Sequence, residues 1–212
     1  SANKIVVDFW FNLSATTGSY FFASRGSYTV VADACAVILT GNKVSARMAN
    51  TGGNVNWDST TAPVIGTWYH CTAVFDRSLA LASQSKIYLN GVIDGANATA
   101  TGATSGNFSA NIGDMGADNG GGNFVNGKMK DLRISTYTGT FVDGDAVSFY
   151  QGILPSGYTA AHRWIGEEAT NPVTDSVASN SITIFGGIAY STDFPSKQRT
   201  GSVVSQNLIK RS

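Results

Sequence analysis

The chain has 212 residues, of which 42% are hydrophobic and only 13% are charged. This composition supplies enough apolar side chains for a hydrophobic core, which argues against disorder. The 14 basic and 14 acidic residues give a formal net charge of +0. Because nucleic acids and anionic membranes attract clustered Lys and Arg, this balance argues against both as partners. It favours uncharged partners, such as glycans or other protein surfaces.

The chain contains two cysteines, Cys35 and Cys71. The sequence cannot place their Cα atoms within bonding range, so one disulfide and two free buried thiols both stay open. A chain of this size can stabilise itself through its core, which favours free thiols. No apolar run approaches the roughly 20 residues that span a bilayer, and the amino end lacks the pattern of a signal peptide. We therefore expect no membrane insertion.

Alternating apolar and polar residues predict antiparallel strands along most of the chain. In the first strand, the apolar residues that share one face are Ile5, Val7, Phe9, Phe11 and Leu13. Residues 66–76 and 87–91 predict two further core strands, and the second enters a tight turn at Asn90-Gly91. Asn-Gly is typical of a type I′ hairpin turn, whose central residues need positive φ. The sequence therefore predicts a meander of hairpins.

The segments between these strands are rich in small and polar residues. Residues 50–63, which include Trp57, predict a loop or an edge strand, and residues 94–107 and 118–123 predict exposed loops. Residues 143–151 are the one helical candidate, with an Asp at the N-cap and a Gly as the stop. One short helix among about a dozen strands predicts an all-β fold.

Four landmarks in a fixed order carry a family resemblance. They are Gly66-x-Trp68-x-His70 with Asp76, Ile87-Tyr88-Leu89-Asn90-Gly91, Ile112-Gly113, and Phe124-x-x-Gly127-Lys128-Met129-x-Asp131-Leu132-Arg133-Ile134. This series is similar to the laminin G-like, concanavalin A-like jelly roll of laminin G modules, pentraxins and legume-type lectins. The resemblance implies a two-sheet antiparallel β-sandwich over residues 1–190. Residues 191–212 are then a polar carboxyl-terminal tail.

Most of these landmarks have a structural explanation. Large aromatic residues fill the space between packed sheets, so we expect Trp68 and Tyr88 to lie there rather than to contact a ligand. We expect His70 to be a hydrogen-bonded core histidine rather than a catalytic one. Asp131 and Arg133 share a predicted strand face, where an ion pair at the rim of the sheet would explain both.

The sequence offers no convincing catalytic constellation. Jelly-roll glycosidases need two carboxylates across a cleft, about 5 to 9.5 Å apart. The two glutamates, Glu167 and Glu168, are neighbours, and neighbours on a strand point to opposite faces. The adjacent His70 and Cys71 would diverge in the same way, and no Gly-x-Ser-x-Gly motif occurs. Nothing in the sequence supports a lyase-like His and Tyr arrangement that would use His162, so we expect a non-enzymatic protein without catalytic residues.

Two regions hold candidate ligand-binding residues. Trp57 lies in a polar stretch, where it either forms an exposed platform for a sugar ring or packs along an edge strand. Asp114, Asp118 and Asn119 offer three oxygen ligands in a glycine-rich loop, and Ca²⁺ needs six to eight. Pentraxins carry a denser acidic cluster at a similar place. The sequence therefore favours a solvated loop and no cofactor, with calcium as the alternative.

A neutral jelly roll without catalytic residues resembles the laminin G-like modules of tailed-phage and other viral surface proteins. The resemblance implies a virion surface protein that decorates the capsid or forms a tail or fibre attachment part. Its partners would be other virion proteins, copies of itself or host-surface glycans. Val203-Val204 and Leu208-Ile209 are spaced in the tail as for docking on a neighbouring subunit. The alternative is a secreted or cell-surface bacterial glycan-binding module, which would be extracellular.

Overall fold

A computed structural model describes residues 2–17, 20–24, 34–103, 106–108, 114–115, 126–165, 173–178, 181–182 and 188–189. Its strands are β1 (Lys4–Leu13), β2 (Tyr20–Ala23), β3 (Cys35–Thr40), β4 (Lys43–Asn50), β5 (Gly53–Asp58), β6 (Trp68–Asp76), β7 (Ser85–Leu89), β8 (Val92–Ile93), β9 (Ala96–Ala100), β10 (Asp114–Met115), β11 (Gly127–Tyr137), β12 (Tyr158–Trp164), β13 (Val173–Thr174), β14 (Ser181–Ile182) and β15 (Ile188–Ala189). The α-helix is α1 (Asp143–Tyr150), which confirms the predicted short helix. The predicted Asp N-cap is wrong, because the N-cap is Val142 and Asp145 accepts from its backbone N–H within the first turn. Within these ranges, no helix has the length and apolarity that crossing a bilayer requires.

Two sheets form the body of the fold. Sheet A has the strand order β12-β11-β1-β6-β7-β8, and sheet B has the order β10-β2-β3-β4-β5-β9. Neighbouring strands pair in antiparallel fashion, except that β15 adds to β11 in parallel. The predicted two-sheet antiparallel β-sandwich is therefore confirmed.

The core between the sheets follows the alternation of the sequence. The five apolar residues predicted to share a face of β1 are all buried in one cluster with residues of β3, β4 and β6. Cys35 and Cys71 lie in the same cluster as free thiols, as the sequence favours. Burial raises the pKa of Cys35 to about 12, because a thiolate is poorly solvated inside the core.

The outer face of sheet A is covered in part by α1. Tyr88 belongs to a second apolar cluster there, together with Val74 and the helix residue Phe149, and its hydroxyl donates to Asp143 at 2.9 Å. Trp68 lies on the same outer face and is half-buried, because the inward positions of β6 start at Tyr69 and continue at Cys71. The prediction that Trp68 and Tyr88 fill the space between the sheets is therefore wrong.

A buried ion pair lies beneath α1. Arg133 donates to both carboxylate oxygens of Asp8 at 3.0 Å, through Nε and Nη2, and both side chains are almost fully buried. The guanidinium also lies 5.0 Å from the ring centre of Phe149. His70 is buried beside them, with Nε2 3.5 Å from Asp8 Oδ1. This environment gives His70 a structural place on the outer face of sheet A.

A β-bulge in β11 separates the two residues that the sequence pairs. Asp131 has a φ of 50°, and the register against β1 shifts at this point. Asp131 instead accepts two hydrogen bonds from Arg163 of β12, at 2.7 and 3.0 Å. The predicted ion pair between Asp131 and Arg133 is therefore wrong, since each residue has a different partner.

Trp57 lies within sheet B rather than at its edge. β5 pairs with β4 on one side and with β9 on the other, so residues 96–100 form a strand inside the predicted loop 94–107. The indole is half-buried against the main core, and its Nε1 donates to the backbone oxygen of Asp94 at 2.8 Å. The small residues of β9 pack little apolar surface, so its strand forms through backbone pairing with β5.

The buried ion pair yields a stability prediction. We expect Arg133→Met to lower the free energy of unfolding by about 3–5 kcal/mol, because it leaves the Asp8 carboxylate buried without its partner. Urea denaturation monitored by tryptophan fluorescence measures the loss. Lys86→Met is the matched control, since Lys86 is half-buried on β7, and we expect a change within about 0.5 kcal/mol. A loss below about 1 kcal/mol for Arg133→Met would contradict the interpretation.

A second prediction concerns Trp57. We expect Trp57→Ala to lower the free energy of unfolding by about 3 kcal/mol, because the side chain packs against the core. Trp57→Phe keeps most of that packing and loses the hydrogen bond to Asp94, which costs about 1 kcal/mol. Thermal melts of both variants check the order. An unchanged melting temperature for Trp57→Ala would instead indicate an exposed platform.

Candidate ligand-binding face

Strands β4 and β5 direct a row of polar side chains away from the core. Successive strand residues point to opposite faces. Val44, Ala46 and Met48 of β4, and Val55 of β5, are buried between the sheets. The residues between and beside them face outward, and the polar ones are Ser45, Arg47, Asn54, Asn56 and Asp58.

The register of the two strands sets which of these residues meet. Ser45 lies directly opposite Asp58, and Arg47 lies directly opposite Asn56. Directly opposed residues have Cβ atoms roughly 4.5–5.5 Å apart, which is within reach of polar side chains. The backbone pairing therefore assembles the polar groups before any ligand arrives.

The four side chains form one hydrogen-bonded network, which we call the Arg47 network. The Ser45 hydroxyl donates to Asp58 Oδ1, and Arg47 Nε donates to Ser45 Oγ at 2.6 Å. Arg47 Nη2 lies 3.4 Å from the same Asp58 oxygen. In the amide orientation that satisfies both its polar atoms, Asn56 Oδ1 accepts from Arg47 Nη1 at 3.0 Å. The network fixes the orientation of both charged groups.

Part of the network is still available to a ligand. The side chain of Asp58 is 31% exposed and that of Arg47 is 17% exposed. Asp58 Oδ2 has no hydrogen-bond partner in the described part of the chain, and the Arg47 Nη atoms keep N–H groups to spare. Ala96 of β9 lies opposite Asp58, and its small side chain does not cover the Asp58 carboxylate. The face therefore offers an acceptor and several donors side by side.

The structure does not bring together Trp57 and Asp114, the two predicted site residues that it describes. Trp57 is on β5, and its indole faces the core. Asp114 is on β10, four strand positions away in sheet B, which is about 19 Å at a spacing of ~4.8 Å. Asp118 and Asn119 lie outside the described residues. Ligand binding by these four residues stays a prediction.

The sequence reasoning missed Arg47 and Asp58. The outward position of Arg47 follows from the alternation of β4, which the sequence shows clearly. Its partner was hidden because residues 50–63 predict a loop or an edge strand, which fixes no register between β4 and β5. Without that register, no signal in the sequence joins a guanidinium to a carboxylate eleven residues away.

Metal binding finds no support in the described ranges. They hold no group of three His, Cys, Asp or Glu side chains that could coordinate an ion. Of the predicted calcium ligands, only the backbone of Asp114 lies within these ranges. Calcium binding stays a prediction.

His162 has a structural partner. Its Nδ1 lies 2.6 Å from Oδ2 of the buried Asp175, and its ring stacks on Trp164. Burial would raise the pKa of Asp175, but hydrogen bonds from the backbone N–H groups of Arg163 and Val177, and from His162, hold that pKa below its usual range. The His162–Asp175 pair thereby fastens residues 173–178 to β12.

Comparison with known proteins agrees with the fold. A family model described as the concanavalin A-like lectin/glucanases superfamily matches residues 1–142. A solved structure from Bacteroides ovatus, whose name proposes carbohydrate binding, has 13% identity and a TM-score of 0.59. The match covers 89% of this chain but only 56% of that protein. At this identity the likeness shows the fold alone.

Two further solved structures are more distant. A heptameric pentraxin from Limulus polyphemus has 14% identity and a TM-score of 0.49 over 75% of this chain and 80% of its own. The CBM40 of a Ruminococcus gnavus IT-sialidase, bound to α2,3-sialyllactose, has 12% identity and a TM-score of 0.48 over 71% of this chain and 84% of its own. The search of curated proteins gave no significant match. Since the family model covers well over half of the 212 residues, the chain belongs to the concanavalin A-like lectin/glucanase superfamily.

Proposed function

We propose that the protein is a non-enzymatic carbohydrate-binding module that holds a glycan on the outer face of sheet B. The contacting residues are Arg47, Asn56 and Asp58. The observation that carries the proposal is the Arg47 network, in which Ser45 and Asn56 are buried, Arg47 and Asp58 are partly exposed, and the acceptor and donor groups are only partly used. A fixed polar cluster on a rigid sheet loses little conformational freedom when a ligand binds.

Sugar hydroxyls suit this cluster because each hydroxyl both donates and accepts a hydrogen bond. One hydroxyl can donate to Asp58 Oδ2 while its neighbour accepts from an Arg47 N–H. Hydrogen bonds to charged groups contribute about 1.5–3 kcal/mol each, roughly twice the value for neutral pairs. Two such bonds with a few flanking contacts give an affinity in the millimolar to micromolar range.

Binding without hydrolysis fits the charges on this face. The superfamily name covers both lectins and glucanases. Hydrolysis of a glycosidic bond needs two carboxyl groups that face each other, and the Arg47 network holds a single carboxylate. That carboxylate is also engaged with a guanidinium and a hydroxyl. The name of the Bacteroides ovatus protein, which proposes carbohydrate binding, supports the same choice.

A glycan array tests the proposal. We expect the wild-type protein to retain at least one class of glycan, and Arg47→Ala to weaken that binding at least tenfold, measured by calorimetry on the retained glycan. Lys86→Ala on the opposite sheet is the control and should bind like the wild type. Matching melting temperatures show that the variants are folded. If Arg47→Ala bound the glycan as tightly as the wild type does, the binding site would have to lie elsewhere.

We also propose that the protein acts on the surface of a virion, in capsid decoration or host attachment, with other virion proteins or its own copies as partners. The feature that favours this location is the sequence of residues 191–212, where Val203-Val204 and Leu208-Ile209 interrupt a polar stretch. Paired apolar residues in a polar segment suit docking on a neighbouring subunit. A secreted or cell-surface bacterial module is the alternative location.

Mass spectrometry distinguishes these locations. We expect peptides of the chain in purified virus particles of the source, at a copy number comparable to that of other structural proteins. A matched sample of uninfected cells and their medium is the control. Detection only in the bacterial surface or secreted fraction would replace the virion location by the bacterial one.

A further inference from the structure

We infer that the outer face of sheet B selects neutral glycans over glycans that carry carboxylate or sulfate groups, and that Asp58 is the residue that sets this selectivity. The inference rests on the proposed function and specifies its ligand class. It follows from the charges of the Arg47 network and from the atoms that the network leaves available.

The positive charge of Arg47 is already matched. Its Nη2 lies 3.4 Å from Asp58 Oδ1, and its Nε is directed to Ser45 Oγ, which itself donates to the same Asp58 oxygen. The pair has a formal charge of zero. An unpaired arginine on a sheet would be a ready site for an anion, because its planar fork of donors matches carboxylate and sulfate oxygens. Here the Asp58 carboxylate already takes the place of that anion.

An acidic sugar would lose more than it gains on this face. Its anionic group could reach Arg47 only beside the Asp58 carboxylate, since both side chains are held in one network. Two negative groups in contact repel each other, and separating Arg47 from Asp58 would leave a partly buried carboxylate without its partner. A neutral sugar keeps the ion pair and adds a hydroxyl donor to Asp58 Oδ2.

Lys43 is the other described cation that faces outward near this network. It is exposed at the start of β4, four residues from Arg47, which is about 13 Å along a strand. Asp58, which pairs with Ser45, is the diagonal neighbour of Lys43 at roughly 7–8 Å, so these two opposite charges lie within about one Debye length of each other. An anion that reaches Lys43 therefore also meets the Asp58 carboxylate, and Lys43 alone does not make the face an anion site.

The test compares matched ligand pairs. Calorimetry measures the binding of oligosaccharides built from neutral hexoses and of their uronic-acid counterparts. We expect the wild-type protein to prefer the neutral member at least tenfold. In Asp58→Asn, which keeps the size of the side chain and removes its charge, we expect this preference to fall at least tenfold. Asp143→Asn, which makes the same change of charge at an exposed position on α1, should keep the wild-type preference.

The outcomes separate this inference from the proposed function. Tighter wild-type binding of the acidic member, or an unchanged preference in Asp58→Asn, overturns the inference and leaves glycan binding standing. Failure of the wild type to bind any glycan overturns the proposed function.

The salt dependence of wild-type binding is a second measurement, which needs no variant. Binding of a neutral glycan should change less than twofold between 50 and 500 mM NaCl, whereas recognition through a net charge would weaken steeply.

Discussion

The packing of two apolar sheet faces against each other holds this molecule together. β1 lies at the centre of sheet A, between β11 and β6, and directs five large apolar side chains toward sheet B. Each of these side chains contributes roughly 1.5–3 kcal/mol when it is fully buried. Because the side chains of the inner faces are packed in this core, a ligand can contact only the outer faces and the loops.

The two outer faces differ in how exposed their ion pairs are. On sheet A, Asp8 and Arg133 are almost fully buried beneath α1. On sheet B, a similar pair of opposite charges, Arg47 and Asp58, is partly exposed. A buried pair can only stabilise the fold, whereas a partly exposed pair can also form hydrogen bonds with a ligand. This difference in solvent access, rather than in residue type, is the reason why we propose the binding site on sheet B.

The sequence predicts the elements whose identity depends on their own side chains. The alternation of β1 and the helix at Asp143–Tyr150 are read from local patterns, and both are confirmed. Features that depend on the pairing with another strand cannot be predicted from these local patterns. A single extra residue at Asp131 changes which residues share a face, and the small residues of β9 become a strand only because β5 offers backbone groups. The same dependence hid the contact between Arg47 and Asp58.

The two free cysteines have a consequence for where this fold can operate. Cys35 and Cys71 are fully buried, and the raised pKa of Cys35 keeps its sulfur almost entirely in the unreactive thiol form at neutral pH. The stability of the fold therefore depends on no cross-link that a reducing compartment could open. The fold also exposes neither of its two thiols to modification in an oxidising compartment. The domain is chemically equipped to pass between the two kinds of environment without rearranging a covalent bond.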